Sequence, residues 1–556
     1  MNAFNKYFIE LGPNLANNIP TTTPTHTNKT LSPTIRESLL ITPTDAYEVQ
    51  KIISTIKNSP ACGVDQVPIS VLKSVASTIS PILATLINHS VSKGIFPDAL
   101  KVAKVAPIFK SGDKSVITNY RPISILNSFS KIYKKVFLNI LQIYLKKHEL
   151  LFEGQYGFQK NHSTNYALID FIDHITEALD KNEYIVSIFI DLSKAFDTVD
   201  HTLLLNKLHN YGIRGLASEY IKSYLSNRLQ CVEINGVTSN YLKVTCGVPQ
   251  GSILGPILFL LYINDIKSCS SLLQLILFAD DTTLLCSSND LTSLINLINK
   301  ELENLTSWFN ANRLSLNSSK TNYMIFSNHK KEVSHPQLLI NGKEITKVES
   351  TKFLGINIDK KLSWKQHTIS VEKKLSPANF IIRHIRYKIN QATALKLYDT
   401  LALPHLTYCN TVWGNCKKTH TMNIFRLQKR ILRVCCDVKH LSTEALFDVT
   451  KKLPFYNIHK LQAAKTVHNL FHNIDILPSQ IVNLFSKPSN VHCFNTRSLD
   501  NLCLFVHYGR LDVRKASLKI FAPHLWNKLP NVIRQINSFN SFKKNIKAFL
   551  QATPDF

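Results

Sequence analysis

The stretch Gln274-Leu275-Ile276-Leu277-Phe278-Ala279-Asp280-Asp281-Thr282-Thr283-Leu284-Leu285 places two adjacent carboxylates between two apolar runs. Each run has the length and residue types of a buried β-strand, which predicts a hairpin with Asp280 and Asp281 at its tip. A polar turn is the simplest interpretation of an isolated Asp-Asp pair. Because both strands can be buried, the tip can also project several oxygen atoms into one site.

A third carboxylate follows a second predicted strand. The β-forming run from Tyr184 to Ile190 ends at Asp191. A charged group at the end of a buried strand is costly unless a cation compensates it. Two Mg²⁺ ions that activate a hydroxyl and neutralise a leaving pyrophosphate need carboxylates from separate elements, and Asp191 fits beside Asp280 and Asp281.

Other aspartates are interpreted differently. Asp197 and Asp200 are weaker metal candidates, and Asp200 is predicted to cap the helix that follows it. The apolar positions between Asp290 and Phe309 recur with a helical period, which predicts a packing helix capped by Asp290.

Charge divides the 556 residues unevenly. The chain has 65 Lys and Arg against 38 Asp and Glu, a net charge of +27. After Lys360 there are 30 basic and 9 acidic residues, against 35 and 29 before it. The last third is therefore expected to contact a polyanion, most often a nucleic acid, and the first part to hold the carboxylate chemistry.

Composition and patterning predict an α+β protein. With 44% hydrophobic and 19% charged residues, the chain is neither a disordered tail nor a disulfide-stapled miniprotein. Helices and short strands alternate from about residue 45 to 360, and helical patterns follow. Residues 18–34, with three prolines and seven threonines, read as a linker. Eleven cysteines without a CxxC pair predict reduced thiols in an intracellular protein, and no apolar run is long enough for a membrane span.

Two motifs resemble those of a known family. Phe278-Ala279-Asp280-Asp281 and Phe189-Ile190-Asp191-Leu192-Ser193-Lys194-Ala195-Phe196 are similar to the catalytic motifs of reverse transcriptases, specifically those of non-LTR (LINE-type, jockey-like) retrotransposons. The resemblance covers about residues 50 to 360 and continues more loosely beyond. It implies a right-hand polymerase: an N-terminal segment and linker over 1–45, fingers and palm over 46–360, a helical thumb over 361–440 and a basic helical region over 441–556.

The resemblance also implies the activity. It predicts an RNA-directed DNA polymerase, a nucleotidyltransferase that extends a DNA primer 3′-OH with dNTPs on an RNA template. Asp191, Asp280, Asp281 and the carbonyl of Leu192 are expected to hold two Mg²⁺ ions, with Mn²⁺ as a substitute. The endonuclease that such elements usually carry upstream is expected to be absent from these 556 residues.

Two fingers motifs follow in the family's order. Ala106-Pro-Ile-Phe-Lys-Ser-Gly-Asp113 and Asn119-Tyr-Arg-Pro-Ile-Ser124 imply that Lys110 and Arg121 hold the incoming triphosphate, unless they are only exposed loop residues. The stretch from Gly154 to Thr164 resembles a motif near the template. Gln159 stands where that motif usually has a basic residue, so the charge role is expected to move to Lys160.

Other motifs imply contacts to nucleotide and primer. Gly247-Val-Pro-Gln-Gly-Ser-Ile-Leu-Gly-Pro256 resembles the loop against the nascent base pair, where Gln250 and Gly251 would contact a sugar or base. Lys320 matches the candidate general acid for pyrophosphate, or is a solvated loop lysine. Lys352-Phe353-Leu354-Gly355-Ile356 resembles the primer-grip hairpin, although Phe353 and Leu354 also suit a core.

Phe196 separates two polymerase classes. An RNA polymerase of similar layout typically has an acidic residue five positions after the metal-binding Asp, whereas a bulky ring clashes with a ribose 2′-OH. Phe196 therefore favours dNTPs and argues against an RNA-dependent RNA polymerase, unless the ring only fills the core.

The C-terminal third contains one strongly two-sided helix. Ile424, Leu427, Ile431 and Val434 form an apolar stripe. Arg426, Lys429, Arg430 and Arg433 form the opposite stripe, which is either a solvated face or a track for template RNA and target DNA. The cysteine spacings match no zinc site, so no zinc is expected, and no RNase H-like carboxylate cluster is found after residue 361.

The main alternative is a catalytically inactive derivative that only binds RNA or DNA. The expected partners are template RNA, primer or target DNA and dNTPs, with no membrane. The oligomeric state is unknown, and nuclear or cytoplasmic localisation follows only from the resemblance.

Overall fold

The computed structural model describes residues 1–17, 19, 35–330, 333–438, 440–488 and 502–553. Apart from residue 19, the predicted linker over 18–34 lies outside the described residues. The first elements are α1 (Asn2–Asn17), α2 (Ala46–Thr55), α3 (Ile69–Ser74), α4 (Ala76–Ser92), β1 (Ala103–Phe109), β2 (Tyr120–Leu126), α5 (Ser128–Lys147) and α6 (Thr164–Asp180).

Helix α1 differs from the sequence prediction, which is a single N-terminal segment and linker over residues 1–45. Phe8 is buried in a small core with Val105 and Val232. The buried Asn5 fixes the helix further, since its side-chain amide donates to the carbonyls of Gln230 and Asn240 at 3.2 and 2.8 Å.

The middle of the chain holds most strands. These elements are β3 (Tyr184–Ile190), α7 (His201–Asn210), α8 (Leu216–Leu225), β4 (Arg228–Ile234), β5 (Val237–Thr238), β6 (Leu242–Val244), α9 (Gly255–Ile263), β7 (Gln274–Phe278), β8 (Asp281–Ser288), α10 (Leu291–Ala311), β9 (Asn322–Phe326), β10 (Leu339–Ile340), β11 (Lys343–Glu344), β12 (Thr346–Lys347), β13 (Ser350–Phe353) and β14 (Ile356–Asp359). Asp200 and Asp290 cap α7 and α10 by accepting from Leu203 and Ser293 N–H, as predicted.

Two five-stranded sheets organise these strands. The predicted palm contains the order β12-β9-β3-β8-β7, with β3 antiparallel to both neighbours. The predicted fingers contain β2-β1-β4-β5, with β6 also paired to β4. The central position of β3 explains why all seven of its residues are buried.

Strand β3 divides its side chains between two cores. Val186 and Ile188 belong to a core shared with the fingers and α7 to α10, whereas Ile185 and Phe189 belong to a core on the other face of the sheet. Because side chains alternate along a strand, one short segment anchors both halves of the molecule.

The second core extends through the C-terminal helices. They are α11 (Lys365–Ile385), α12 (Gln391–Leu401), α13 (Leu403–Thr407), α14 (Asn410–Trp413), α15 (Lys418–Cys436), α16 (Thr443–Thr450), α17 (Phe455–His472), α18 (Ser479–Asn483), α19 (Asp512–Lys515), α20 (Leu518–Lys528), α21 (Asn531–Arg534) and α22 (Phe539–Ala552). Within the described ranges no strand follows β14, which confirms the α+β prediction with a helical C-terminal part. None of the helices in these ranges is long and apolar enough to cross a membrane.

Candidate active site

The palm sheet brings three aspartates to one edge. Phe278 pairs with Asp281 across the β7–β8 hairpin, so Ala279 and Asp280 form its two-residue loop. Strand β8 also pairs with β3, with Thr282 opposite Ile190. Asp191 follows Ile190 and therefore lies beside the tip of the hairpin, as predicted from the two motifs.

Asp191 is held by the segment before β9. Asn317 Nδ2 donates to Asp191 Oδ2 at 3.0 Å, and Lys320 Nζ lies 3.6 Å from the same oxygen. An isolated bridge pairs Leu192 with Leu316, with Asn317 N–H donating to Asp191 O and Ser193 N–H to Ser315 O. In this antiparallel pattern the carbonyl of Leu192 points away from Leu316 and is left out of the bridge.

The carboxylates perturb one another. Asp281 is exposed at its surface, but desolvation by the surrounding protein, and then repulsion from Asp280 and Asp191, raise the pKa of its carboxyl to about 6. Burial and Asp191 also raise the pKa of Asp280, although Arg121 and a backbone hydrogen bond oppose them. A bound cation would relieve the repulsion between these partly desolvated carboxylates.

The donor chemistry suits a hard divalent cation. Asp191, Asp280, Asp281 and the Leu192 carbonyl offer only oxygen atoms, the ligands that Mg²⁺ prefers. Across the parts of the chain that the structure describes, no three His, Cys, Asp or Glu side chains converge closely enough to form a ready-made metal site. One reason is that the Asp191 carboxylate already accepts a hydrogen bond from Asn317 and lies next to Lys320.

A cavity of about 640 Å³ opens beside the carboxylates. Most of the predicted catalytic and nucleotide-binding residues line it: Lys110, Arg121, Asp191, Leu192, Phe196, Gln250, Gly251, Asp280 and Lys320. Nine further residues line the cavity without a role predicted from the sequence, among them Phe158, Ser193, Lys194 and Asn317. Residues separated by more than 200 positions thus share one cavity.

Four cations face this cavity. Lys110, Arg121 and Lys320 were predicted from motifs, whereas Lys194 lies within the Asp191 motif and received no role. Burial, together with Lys110, Arg121 and Lys320, lowers the pKa of Lys194, although Asp197 opposes the shift. The mutual repulsion of these cations favours binding of a polyanion such as a triphosphate.

Aromatic rings form another wall of the cavity. The ring of Phe196 stacks on Phe259 with centroids 4.3 Å apart and meets Phe158 edge-on at 6.0 Å. Phe259 belongs to the buried helix α9. Both interpretations of Phe196 therefore have a structural basis, because the ring packs on the core and also lines the cavity.

Gln250 differs from expectation. Its Nε2 donates to both Asp197 oxygens at 3.0 Å, so this amide donor is already used within the protein. Burial raises the pKa of Asp197 to about 6 despite Gln250 and Lys194. Gly251 has φ +100, and a Cβ there would lie 2.8 Å from Ser124 O, which explains why a glycine follows Gln250.

The predicted template and primer residues lie outside the main cavity. Lys160 is exposed and lines an adjacent groove of about 620 Å³, which shares Phe158 with the cavity. Phe353, the last residue of β13, is buried against Phe171 and Phe189 next to the turn of the β13–β14 hairpin. Its turn residues are the half-buried Leu354 and the exposed Gly355.

The two-sided helix is α15, but its buried stripe is shifted. Ile424 and Ile431 are buried as predicted, whereas Leu427 and Val434 are only half-buried. Gln428 is buried instead, because it donates to Tyr398 Oη and Leu453 O and accepts from Phe455 N–H.

The predicted basic stripe of α15 divides in two. Arg426 and Arg430 line a groove of about 460 Å³ between α11 and α15. Lys429 lies over the ring of Phe425 and donates to Thr443, and Arg433 donates to Leu441 O. Lys429 and Arg433 thus also hold the segment that follows the helix.

Known proteins are similar in sequence to the part of the chain that contains this site. Residues 108–358 match the family model described as reverse transcriptase (RNA-dependent DNA polymerase). The chain is 28% identical over 408 residues to the RNA-directed DNA polymerase from mobile element jockey of Drosophila melanogaster, covering 71% of this chain and 44% of that protein. It is 27% identical over 419 residues to the probable RNA-directed DNA polymerase from transposon X-element of the same species, covering 73% and 46%.

A solved telomerase from Candida albicans, in complex with a fragment of telomeric RNA, aligns with a TM-score of 0.40 at 12% identity. This alignment covers 66% of this chain and 70% of that one. The chain spans less than half the length of the curated relatives described above. Residues 108–358 therefore match the reverse transcriptase family, and 71–73% of the chain is similar in sequence to the RNA-directed DNA polymerases of jockey-like elements.

Proposed function

We propose that this chain extends a DNA primer with dNTPs on an RNA template. The observation that supports this function most directly is the meeting of Asp191, Asp280 and four cations at one cavity within the reverse transcriptase domain. The primer 3′-hydroxyl attacks the α-phosphate of the dNTP, and pyrophosphate leaves. Positioning and charge stabilisation are the main tasks of a protein in such a phosphoryl transfer.

The carboxylate side of the cavity is assigned to divalent cations. Asp191, Asp280, Asp281 and the Leu192 carbonyl would hold two Mg²⁺ ions, or Mn²⁺ in their place. When bound, such ions lower the pKa of the attacking hydroxyl and neutralise the leaving group. The raised pKa of Asp281 supports this assignment, because a cation would offset the repulsion between neighbouring carboxylates.

The cationic side is assigned to the triphosphate. Lys110 and Arg121 bind its phosphate oxygens, and Lys194 joins them from the Asp191 motif. Lys320 is the candidate proton donor to pyrophosphate, since its ammonium lies next to Asp191 at the cavity. Phe196 and Gly251 form the walls around the sugar and base, and Gln250 shapes its loop through Asp197.

Template and primer are assigned to the surfaces around the cavity. Lys160 contacts the template in the adjacent groove, and the β13–β14 turn at Leu354 and Gly355 contacts the primer end. Phe353 supports that turn from the core. The thumb, over 361–440, and the basic region, over 441–556, hold template RNA and target DNA, with Arg426 and Arg430 as the exposed contacts on α15.

Primer extension tests this function. Purified chain is incubated with poly(rA), oligo(dT) and Mg²⁺, with dTTP or UTP, and compared with Asp280→Ala/Asp281→Ala, while fluorescence anisotropy follows duplex binding. We expect wild type to extend the primer with dTTP and not with UTP. The double variant should still bind the duplex but should not extend the primer. Binding without extension in either Mg²⁺ or Mn²⁺ would instead establish the inactive, binding-only derivative.

A further inference from the structure

The hairpin loop that carries Asp280 has an unfavourable backbone. Ala279 has φ +58, in the left-handed region that side chains with a Cβ rarely adopt. In a loop of only two residues, this conformation sets the direction in which Asp280 and Asp281 leave the hairpin. Something outside the hairpin must therefore hold Ala279 in place.

One buried side chain binds the backbone of Ala279. Gln155 is 3% exposed, and its Oε1 accepts from the N–H groups of Ala279 and Gly157, each at 2.8 Å. Its Nε2 lies 3.4 Å from Ala279 O, as a weak donor to the other side of the same residue. A single amide thus contacts both polar backbone groups of the strained residue.

The segment around Gln155 is itself fixed to β7. Tyr156 N–H donates to Leu277 O at 2.7 Å, and Leu277 N–H donates to Gly154 O at 2.8 Å, in a parallel bridge between Gln155 and Leu277. The contact is also very close, because a Cβ on Gly157 would lie 2.3 Å from Ala279 N. The amide of Gln155 is therefore a rigid support for the loop.

We propose that Gln155 is a positioning residue, which holds the left-handed Ala279 turn and thereby orients Asp280 towards the cavity and fixes Asp281 beside it at the tip of the hairpin. This role rests on the proposed polymerase function. It predicts that Gln155 affects cation binding and the chemical step, since it acts through the two aspartates, and that dNTP affinity depends on it little. It also predicts that a glycine at position 279 removes much of the need for Gln155, because glycine adopts positive φ without strain.

Four variants test the role. Gln155→Met keeps the volume and removes the hydrogen bonds, and Gln155→Met/Ala279→Gly adds the unstrained turn. Ala279→Val raises the strain while Gln155 stays intact. Gln230→Met is the matched control, because Gln230 lies in β4 and its amide donates within the protein, to Asn5 Oδ1 at 3.1 Å. The measurements are kcat and KM for dTTP, binding of Mn²⁺ followed by electron paramagnetic resonance, and the midpoint of thermal unfolding.

Gln155→Met is expected to lower kcat about 100-fold and to weaken Mn²⁺ binding about tenfold, with KM for dTTP within about twofold. Ala279→Gly in that background should restore at least about tenfold of the lost kcat and most of the Mn²⁺ binding, and Gln230→Met should keep the wild-type kcat and Mn²⁺ binding. Ala279→Val should lower kcat and weaken Mn²⁺ binding, as Gln155→Met does. If Gln155→Met does not fold, Ala279→Val still tests the role.

The role is overturned if Gln155→Met and Ala279→Val bind Mn²⁺ as wild type does. It is equally overturned if Ala279→Gly restores nothing and the losses only follow the unfolding midpoint, as expected of a general core residue. Mn²⁺ binding is measured without turnover. A wild-type chain that binds Mn²⁺ but does not polymerise would therefore count against the proposed function and leave the Gln155 comparison intact.

Discussion

Arg514, in the short helix α19, donates through Nη1 to Asp173 Oδ1 of helix α6 at 2.6 Å. Both residues are buried, and the same nitrogen also donates to Thr176 Oγ1 and to the carbonyl of Asp173. Burial raises the pKa of Asp173 even though Arg514 and Lys519 oppose it. A buried ion pair therefore joins the C-terminal helix α19 to helix α6.

Loss of Arg514 should destabilise the whole chain. Arg514→Met leaves the buried Asp173 carboxylate without its main partner, which typically costs about 3 to 5 kcal/mol. Urea-induced unfolding measures the change. Lys515→Met is the control, because Lys515 is exposed and only 3.8 Å from the exposed Asp512. Equal unfolding midpoints for the two variants would show that the ion pair does not join the regions.

Phe196 should control sugar selection. Phe196→Ala removes the ring next to the expected 2′-position, so the preference for dTTP over UTP should fall by at least about tenfold, equivalent to about 1.4 kcal/mol. Steady-state kcat/KM for each nucleotide on the same primer and template measures it. Phe158→Ala removes the ring that touches Phe196 edge-on and should slow extension without changing the ratio. An unchanged ratio in Phe196→Ala would mean that Phe196 only packs on Phe259.

Asp197 should make stability depend on pH. Its pKa of about 6 in the folded chain exceeds the ordinary value of 3.8, so the folded state retains a proton that the unfolded state releases. Stability from this group is therefore full below about pH 4 and is lost as pH rises through 6, on the order of 2 to 3 kcal/mol. Thermal unfolding between pH 4.5 and 7.5 should show a decline in wild type that is smaller in Asp197→Asn. Parallel curves would contradict this.

Arg426 and Arg430 should contribute salt-dependent binding of nucleic acid. Replacing both by Gln should weaken binding of an RNA–DNA duplex irrespective of sequence. It should also reduce the slope of log K against log salt by about 1 for each residue. Fluorescence anisotropy at several salt concentrations measures the slope. Lys429→Gln is the comparison, because Lys429 already contacts Phe425 and Thr443, and its slope should change less. No change in the double variant would place the duplex on another surface.

Structural features that depend on contiguous motifs were predictable from the sequence. The strand ending at Asp191, the hairpin at Asp280 and Asp281 and the helix caps at Asp200 and Asp290 depend on local patterns, and the structure contains all of them. They were predictable because the signals for strands and helix caps act over a few neighbouring residues.

Contacts between distant residues were not predictable in the same way. Gln155 and Ala279 are 124 positions apart, and Arg514 and Asp173 are 341 apart. In the sequence, Gln155 is only the amide before Tyr156 and Gly157. The predicted buried stripe of α15 is shifted because Gln428 is buried. Its amide is fully used by hydrogen bonds to distant residues, which a helical period does not reveal.

The most direct measurement is single-turnover incorporation of dTTP by Asp281→Asn, compared with wild type and Asp290→Asn. Asn at 281 keeps the shape of the side chain and removes the charge that the proposed cations need. Asn at 290 still caps α10, where Asp290 accepts from Ser293 N–H. The rate should fall about 100- to 1,000-fold in Asp281→Asn and stay within about twofold in Asp290→Asn. A wild-type rate in Asp281→Asn would contradict the assignment of the Asp191, Asp280 and Asp281 carboxylates as the polymerase centre.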